Sequence, residues 1–172
     1  MDRLKGDREV NEPEQDVRWK QRFQSYRRAF NLLRTALTVK EIDEYSLLEQ
    51  EGIARCLRYA IEFGWKTFKD YLEFSGVELT EATARSVIKE CAAVGTFREA
   101  GIDGSIYWDM ILARSVLSHT YDIGRFTEIM VKIKSDYLPE LEKEYVFFVN
   151  KELKQAEGLI DKYPEILEGK DA

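Results

Sequence analysis

SLLEQEGIARCLRYAIEFGWKTFKDYLEFSG, residues 46–76, settles the class of fold before the rest of the chain is read. Ser46 and Glu49 stand three apart at its start. At that spacing a serine hydroxyl and a glutamate carboxylate each satisfy a backbone N–H that the first helical turn leaves without a partner. Leu57, Ile61, Gly64, Phe68 and Leu72 follow at intervals of three and four, which brings them to one face of a helix. Gly76 closes the segment, because glycine enters the left-handed conformation that ends helices without a Cβ penalty. Start signal, apolar face and stop signal agree on one long helix.

Helical spacing extends in both directions from this segment. Upstream, Trp19, Phe23, Tyr26, Phe30, Leu33 and Leu37 form an apolar stripe, so a first helix is expected to about Thr38. A charged leader with one proline, residues 1–15, precedes it and is expected to be flexible. Downstream, a short helix is expected from about Thr83 to Val94, stopped by Gly95. A fourth follows Asp103-Gly104 with Ile106, Met110, Ala113 and Leu117 on one face. A fifth follows Asp122 as N-cap, with Ile123, Phe126, Ile129, Met130 and Ile133 as its stripe. Pro139 is expected to kink or break that helix, because it lacks an amide proton and clashes with the preceding turn. A last helical piece runs to about residue 163. Only Tyr145 to Val149 has the short apolar run that could pass for a strand. The expected fold is all-α: an antiparallel up-and-down bundle of four long helices plus short ones, residues 16–148, with a C-terminal helical extension over 149–172.

Composition bounds the rest. A chain of 172 residues, 44% apolar and 34% charged, builds one globular domain with a sizeable core. It has no apolar run near the roughly 20 residues of a membrane span, and MDRLKGDREV lacks the apolar core of a secretory signal, so a cytoplasmic protein without a membrane partner is expected. Cys56 and Cys91 have no paired spacing and there is a single histidine, so no metal site and no organic cofactor are expected, and both thiols are expected to be buried. The net charge of −6 argues against a general nucleic-acid coat, and no DNA partner is expected. Between Val17 and Lys40, however, Arg18, Lys20, Arg22, Arg27, Arg28, Arg34 and Lys40 occur with no acidic residue. These cations mostly flank the apolar stripe, as ordinary solvated positions do.

The single histidine lies in RSVLSHTYD, residues 114–122. Five positions separate Arg114 from His119, which sets them roughly 140° apart around a straight helix. They meet at one ligand if the helix stops near Ser118, or if a two-fold dimer brings both copies around one cleft. The dimer also answers a chemical shortage. RNA cleavage by the 2′-hydroxyl requires a base and an acid, and one histidine cannot be both at once. Arg114 would hold the phosphate and stabilise the charge that grows there.

Arg114, His119 and Tyr121, in the order Arg-x-x-x-x-His-x-Tyr, resemble the signature of the HEPN superfamily of helical nucleotide-binding proteins and small ribonucleases. Four blocks narrow this: residues 52–77, SVIKECAAVG at 86–95, YWDMILARSVLSHTYD at 107–122 and SDYLPELEKE at 135–144. Together they resemble the nucleotidyltransferase substrate-binding protein family, in that family's order, over about residues 16–148. The resemblance implies a minimal nucleotidyltransferase as protein partner in a toxin–antitoxin-like pair. It implies Arg114 and His119 as the ribonuclease pair, and Tyr121, or a nearby tyrosine such as Tyr107, as the residue the partner modifies with AMP. Ser115 and Ser118 would be substrate-binding hydroxyls. Ser115 departs from the family's usual Asn or Asp after the arginine and is a weaker hydrogen-bonding group.

Three functions stay open at this stage: a metal-independent endoribonuclease acting on RNA as a homodimer, a non-catalytic subunit binding the nucleotidyltransferase and its nucleotide, and a helical adaptor. Trp65 and Trp108 are expected in the core. Asp109 is expected as a surface charge, and Glu62 and Asp70 as solvated helix positions.

Overall fold

The computed structural model describes the backbone of residues 12–119 and 123–162, and side chains over 17–41, 43–117 and 128–162. Among these residues there is no strand. Helices α1 (Glu12–Leu37), α2 (Leu47–Phe74), α3 (Ala84–Ala93), α4 (Thr96–Ala100), α5 (Gly104–His119), α6 (Ile123–Lys132) and α7 (Leu138–Lys162) follow one another. A 3-10 turn, Ile42–Glu44, lies between α1 and α2, and a π turn, Ile133–Tyr137, joins α6 to α7.

The signals that set α2 act as expected. Ser46 Oγ accepts from the Glu49 amide while the Glu49 carboxylate accepts from the Ser46 amide at 2.8 Å. The hydrogen bond from Lys40, followed by those from Ser46, pulls the Glu49 pKa down to about 2. At the far end Gly76 takes a φ of 84°. The short α4 was not anticipated; Gly95, at φ 85°, turns the chain between α3 and α4.

Ion pairs fix the helix directions. Arg18–Glu73, Arg22–Asp70 and Lys40–Glu49 run in opposite senses along α1 and α2, and Arg27–Glu152 and Arg34–Glu142 do so along α1 and α7. Phe68–Tyr107 followed by Arg114–Glu62 gives the same antiparallel sense for α5 against α2. The long helices therefore form an antiparallel bundle. Every member of the α1 stripe from Trp19 to Leu37 is buried. Phe68 sits at the centre, with ring centroids 4.9–6.0 Å from Phe97, Tyr107, Phe147 and Phe148.

The α-helical ladder breaks before Pro139 as expected, ending at Lys132 and resuming at Leu138, although the chain stays helical between them. The turn before it widens, with the Leu138 amide donating to Ile133 O, five residues back, so the ladder changes register where Pro139 can donate no bond. Asp70 is not solvated: it is 2% exposed and is held by Arg22 at 2.9 Å and Lys69 at 3.3 Å. Helix α1 begins at Glu12, inside the segment read as leader, with Pro13 in its first turn where a missing amide proton costs nothing. Helix α7 crosses residue 148 without a break. Residues 1–11, Asp122, the side chains of Ile123 and Phe126, and residues 163–172 lie outside what is described.

Candidate functional site

Helix α5 is fixed at its start and then along its length. Asp103 Oδ1 accepts from the amides of Ser105 at 2.8 Å and Ile106 at 3.4 Å, satisfying first-turn donors. The amide of Asp103 is itself held by Glu140 of α7 at 2.9 Å. Further along, Asp109 accepts from Tyr137 at 2.7 Å and Lys132 at 2.9 Å, so this surface carboxylate ties α5 to the segment that follows it. Helix α5 then continues unbroken through His119. Arg114 and His119 are therefore backbone positions roughly 140° apart on one helix, and a single chain's helix does not turn them to one face. The side chains of Ser118 and His119, and all of Tyr121, lie outside the described residues.

Arg114 is half-buried and donates to Glu62 Oε2 on α2. The same carboxylate receives Lys66 at 2.6 Å and the indole N–H of Trp65 at 3.3 Å. Partial burial works to raise the Glu62 pKa, but the hydrogen bonds from Lys66 and Trp65 and the charge of Arg114 outweigh it, and the carboxyl titrates below its ordinary value. Glu62 thus organises three donors instead of standing solvated as expected. Lys66 lies 5.6 Å over the Trp65 ring, whose indole is buried, while Trp108 is half-buried with Arg85 6.0 Å over it. Ser115 is exposed.

One layer inward, α2 and α5 meet a buried polar centre that the sequence did not announce. Tyr107, two turns before Arg114, donates to Glu144 Oε2 at 2.9 Å. Both residues are fully buried, and Gly64 is the floor: a Cβ there would lie 2.8 Å from Glu144 Oε1, 2.9 Å from Oε2 and 2.9 Å from the Tyr107 hydroxyl. Burial pushes the Glu144 carboxyl well above its ordinary range, against the bonds from Tyr107 and Tyr26 that favour the anion. Tyr26 spends its proton on Leu141 O at 2.6 Å. Glu144 Oε1 has no hydrogen-bond partner, so nothing at that oxygen offsets the cost of burying a charge. Tyr107 is consequently excluded as an accessible modification site. Cys91 is buried and Cys56 half-buried, and burial raises both thiols. Among the described residues no group of three or more His, Cys, Asp or Glu side chains could hold a metal ion, and no helix is long and apolar enough to cross a membrane.

Helices α2, α5 and the start of α7, which build both layers, fall within residues 21–149, the span matched by the family of nucleotidyltransferase substrate binding protein like sequences. The chain belongs to that family. The match covers three quarters of the chain, includes Arg114, His119 and Tyr121, and stops within α7. Comparison with curated proteins gives no match. Glu62 escaped the sequence reading because its decisive partner is 52 residues away; only the i,i+4 pair with Lys66 was visible locally.

Proposed function

We propose that this protein is the helical partner of a minimal nucleotidyltransferase and that Arg114 and His119 form a metal-independent endoribonuclease site completed across a homodimer. The observation that carries the reading is the placement of Arg114: a half-buried guanidinium on α5, fixed by Glu62 and pre-oriented for a phosphate, five residues before the chain's only histidine. The unbroken helix through His119 supports a second chain as the source of the missing partner group. One His119 removes the proton from an RNA 2′-hydroxyl as its oxygen attacks phosphorus. The other protonates the departing 5′-oxygen, leaving a 2′,3′-cyclic phosphate and a 5′-hydroxyl. Arg114 stabilises the charge on the non-bridging oxygens. Ser115 and Ser118 would hold the substrate from the same helix. Within the toxin–antitoxin-like pair, the Tyr121 phenol attacks the α-phosphorus of ATP in the partner's active site, pyrophosphate leaves, and the resulting phosphodiester pairs with Arg114 in place of RNA.

The test is expression of the wild type, Arg114→Ala and His119→Ala with and without the partner, with cleavage products analysed in the presence of chelator. Toxicity and cyclic-phosphate ends from the wild type alone support the reading, as does an AMP adduct on Tyr121 after co-expression. A chain that sediments as a monomer at micromolar concentration removes the composite site.

The second reading, a non-catalytic nucleotide-binding subunit, is favoured by Ser115 at the position after the arginine. Loss of association with the nucleotidyltransferase in the Arg114→Ala variant, without any RNA cleavage by the wild type, would select it.

A further inference from the structure

The cations of α1 and those of α2 differ in what surrounds them. Arg18, Arg22, Arg27 and Arg34 each pair with a carboxylate of α2 or α7, Arg28 being the exposed exception among the described arginines of α1. Arg55, exposed, and Arg58, half-buried, have no carboxylate partner among the described residues. Arg55, Tyr59, Glu62 and Lys66 are spaced four, three and four apart, so they share one face of α2 with Arg58 at its flank. Arg114 reaches this face from α5 through Glu62. Two cations, Lys66 and Arg114, thus hold Glu62, two more, Arg55 and Arg58, stand one to two turns before it on α2, and Glu51 lies one turn before Arg55 at the end of the row. Tyr59 is 48% exposed in the middle of it, backed by Phe63 with ring centroids 6.4 Å apart. The face is about 16 Å long from Arg55 to Lys66.

We infer that this face of α2 is the path of single-stranded RNA to the α5 site, with Arg55 and Arg58 on phosphates, Tyr59 as the stacking platform for a base, and Glu62 as the carboxylate that spaces Lys66 and Arg114 until a phosphate replaces it. The inference rests on the ribonuclease reading. Direction supports it. Helix α5 is antiparallel to α2, so the five residues from Arg114 to His119, about 7.5 Å, advance toward the half of α2 that carries Arg55, Arg58 and Tyr59. Chemistry supports it too. Unpaired guanidinium groups release phosphate counterions on binding, whereas the neutralised cations of α1 have little left to offer. An exposed aromatic between cations holds bases without regard to sequence.

The test is fluorescence anisotropy of the full chain with a non-cleavable 2′-O-methyl oligonucleotide of about 12 residues, titrated at several salt concentrations. Arg55→Ala/Arg58→Ala is expected to weaken binding about tenfold or more and to reduce the slope of log K against log salt by about 1.4, two single-strand phosphate contacts. Tyr59→Ala is expected to weaken binding about tenfold at an unchanged slope. Glu62→Gln is expected to tighten it, and Arg18→Ala/Arg34→Ala, which removes two paired cations of α1, to change it less than about twofold. All the sites carry surface side chains, and an unchanged unfolding midpoint accompanies each variant. Binding that Arg114→Ala abolishes but Arg55→Ala/Arg58→Ala leaves intact, in affinity and slope, overturns the path and spares the ribonuclease reading. A wild type that binds no RNA overturns both. Intact RNA binding with lost association to the nucleotidyltransferase assigns the row to the protein partner and overturns the path.

Discussion

Glu62 and Glu144 are the same residue type on neighbouring levels of the helix bundle, and they behave in opposite ways. Glu62 stands at the surface among Arg114, Lys66 and Trp65, and its pKa is lowered; it is a charge that holds charges. Glu144 lies fully buried over Gly64 beside two tyrosines, and its pKa is raised; it is a neutral acid that holds the core. Cations in reach make the difference. A carboxyl that can borrow positive charge stays ionised at partial burial, whereas one offered only phenols keeps its proton. Helix α5 is thereby held twice, to α7 by a buried bond over Gly64 and to α2 by a surface pair that an anion can open.

Removing the groups that use the outer level should have the largest effect. Arg114→Ala and His119→Ala are each expected to lower RNA cleavage by about 10²- to 10⁴-fold, measured as the rate of cyclic-phosphate formation, while the thermal unfolding midpoint stays within a degree or two. A matching loss of stability would mean that the outer pair is part of the core's support and would erase the distinction. Gly64→Ala attacks the inner level. Although alanine favours helix by about 1 kcal/mol, its Cβ would collide with the Glu144 carboxyl and the Tyr107 hydroxyl, and denaturant unfolding is expected to show a net loss of about 1–3 kcal/mol.

The next two predictions use pH to separate the glutamates. The stabilisation that Glu144 gives by its raised pKa is fully present below its unfolded value of about 4.5 and declines as pH rises toward the folded value. Unfolding free energies measured from pH 4.5 to 8 should therefore fall for the wild type relative to Glu144→Gln, which keeps a neutral, hydrogen-bonding side chain, by about 1.4 kcal/mol for each unit of pKa shift. Parallel curves would show that Glu144 is ionised. Glu62 has the opposite sign: its contribution is present above pH 4.5 and is lost as pH falls through its lowered value. Because the pair is partly solvated, Glu62→Gln should change stability by no more than about 0.5 kcal/mol at pH 7. A larger loss would move Glu62 into the structural class with Glu144.

Local signals carried most of the fold. The capping box at Ser46 and Glu49, the stop at Gly76 and the α1 stripe needed only helical periodicity, because each acts within one turn or along one face. Pro139 ends the α ladder as its local rule says, but the π turn that carries the chain across it was not legible, because a proline alone does not specify how the ladder resumes. For the site, Arg114, His119 and Tyr121 were found by resemblance, and Arg114 alone has a described side chain to examine.

By itself the sequence determined an all-helical chain, its principal helix boundaries, its membership through the blocks between residues 21 and 149, and the candidate residues on α5. Tertiary structure decided which charges matter. Asp70, Glu62 and Glu144 are alike in being acidic residues on amphipathic helices, yet one is buried against Arg22, one shared by Arg114 and Lys66, and one sealed over Gly64. Periodicity tells which side of a helix a residue is on, but ionisation depends on the partners that other helices bring within a few ångströms. Those partners, Arg22, Arg114 and Tyr107, lie 48, 52 and 37 residues away along the chain, beyond the reach of any local pattern.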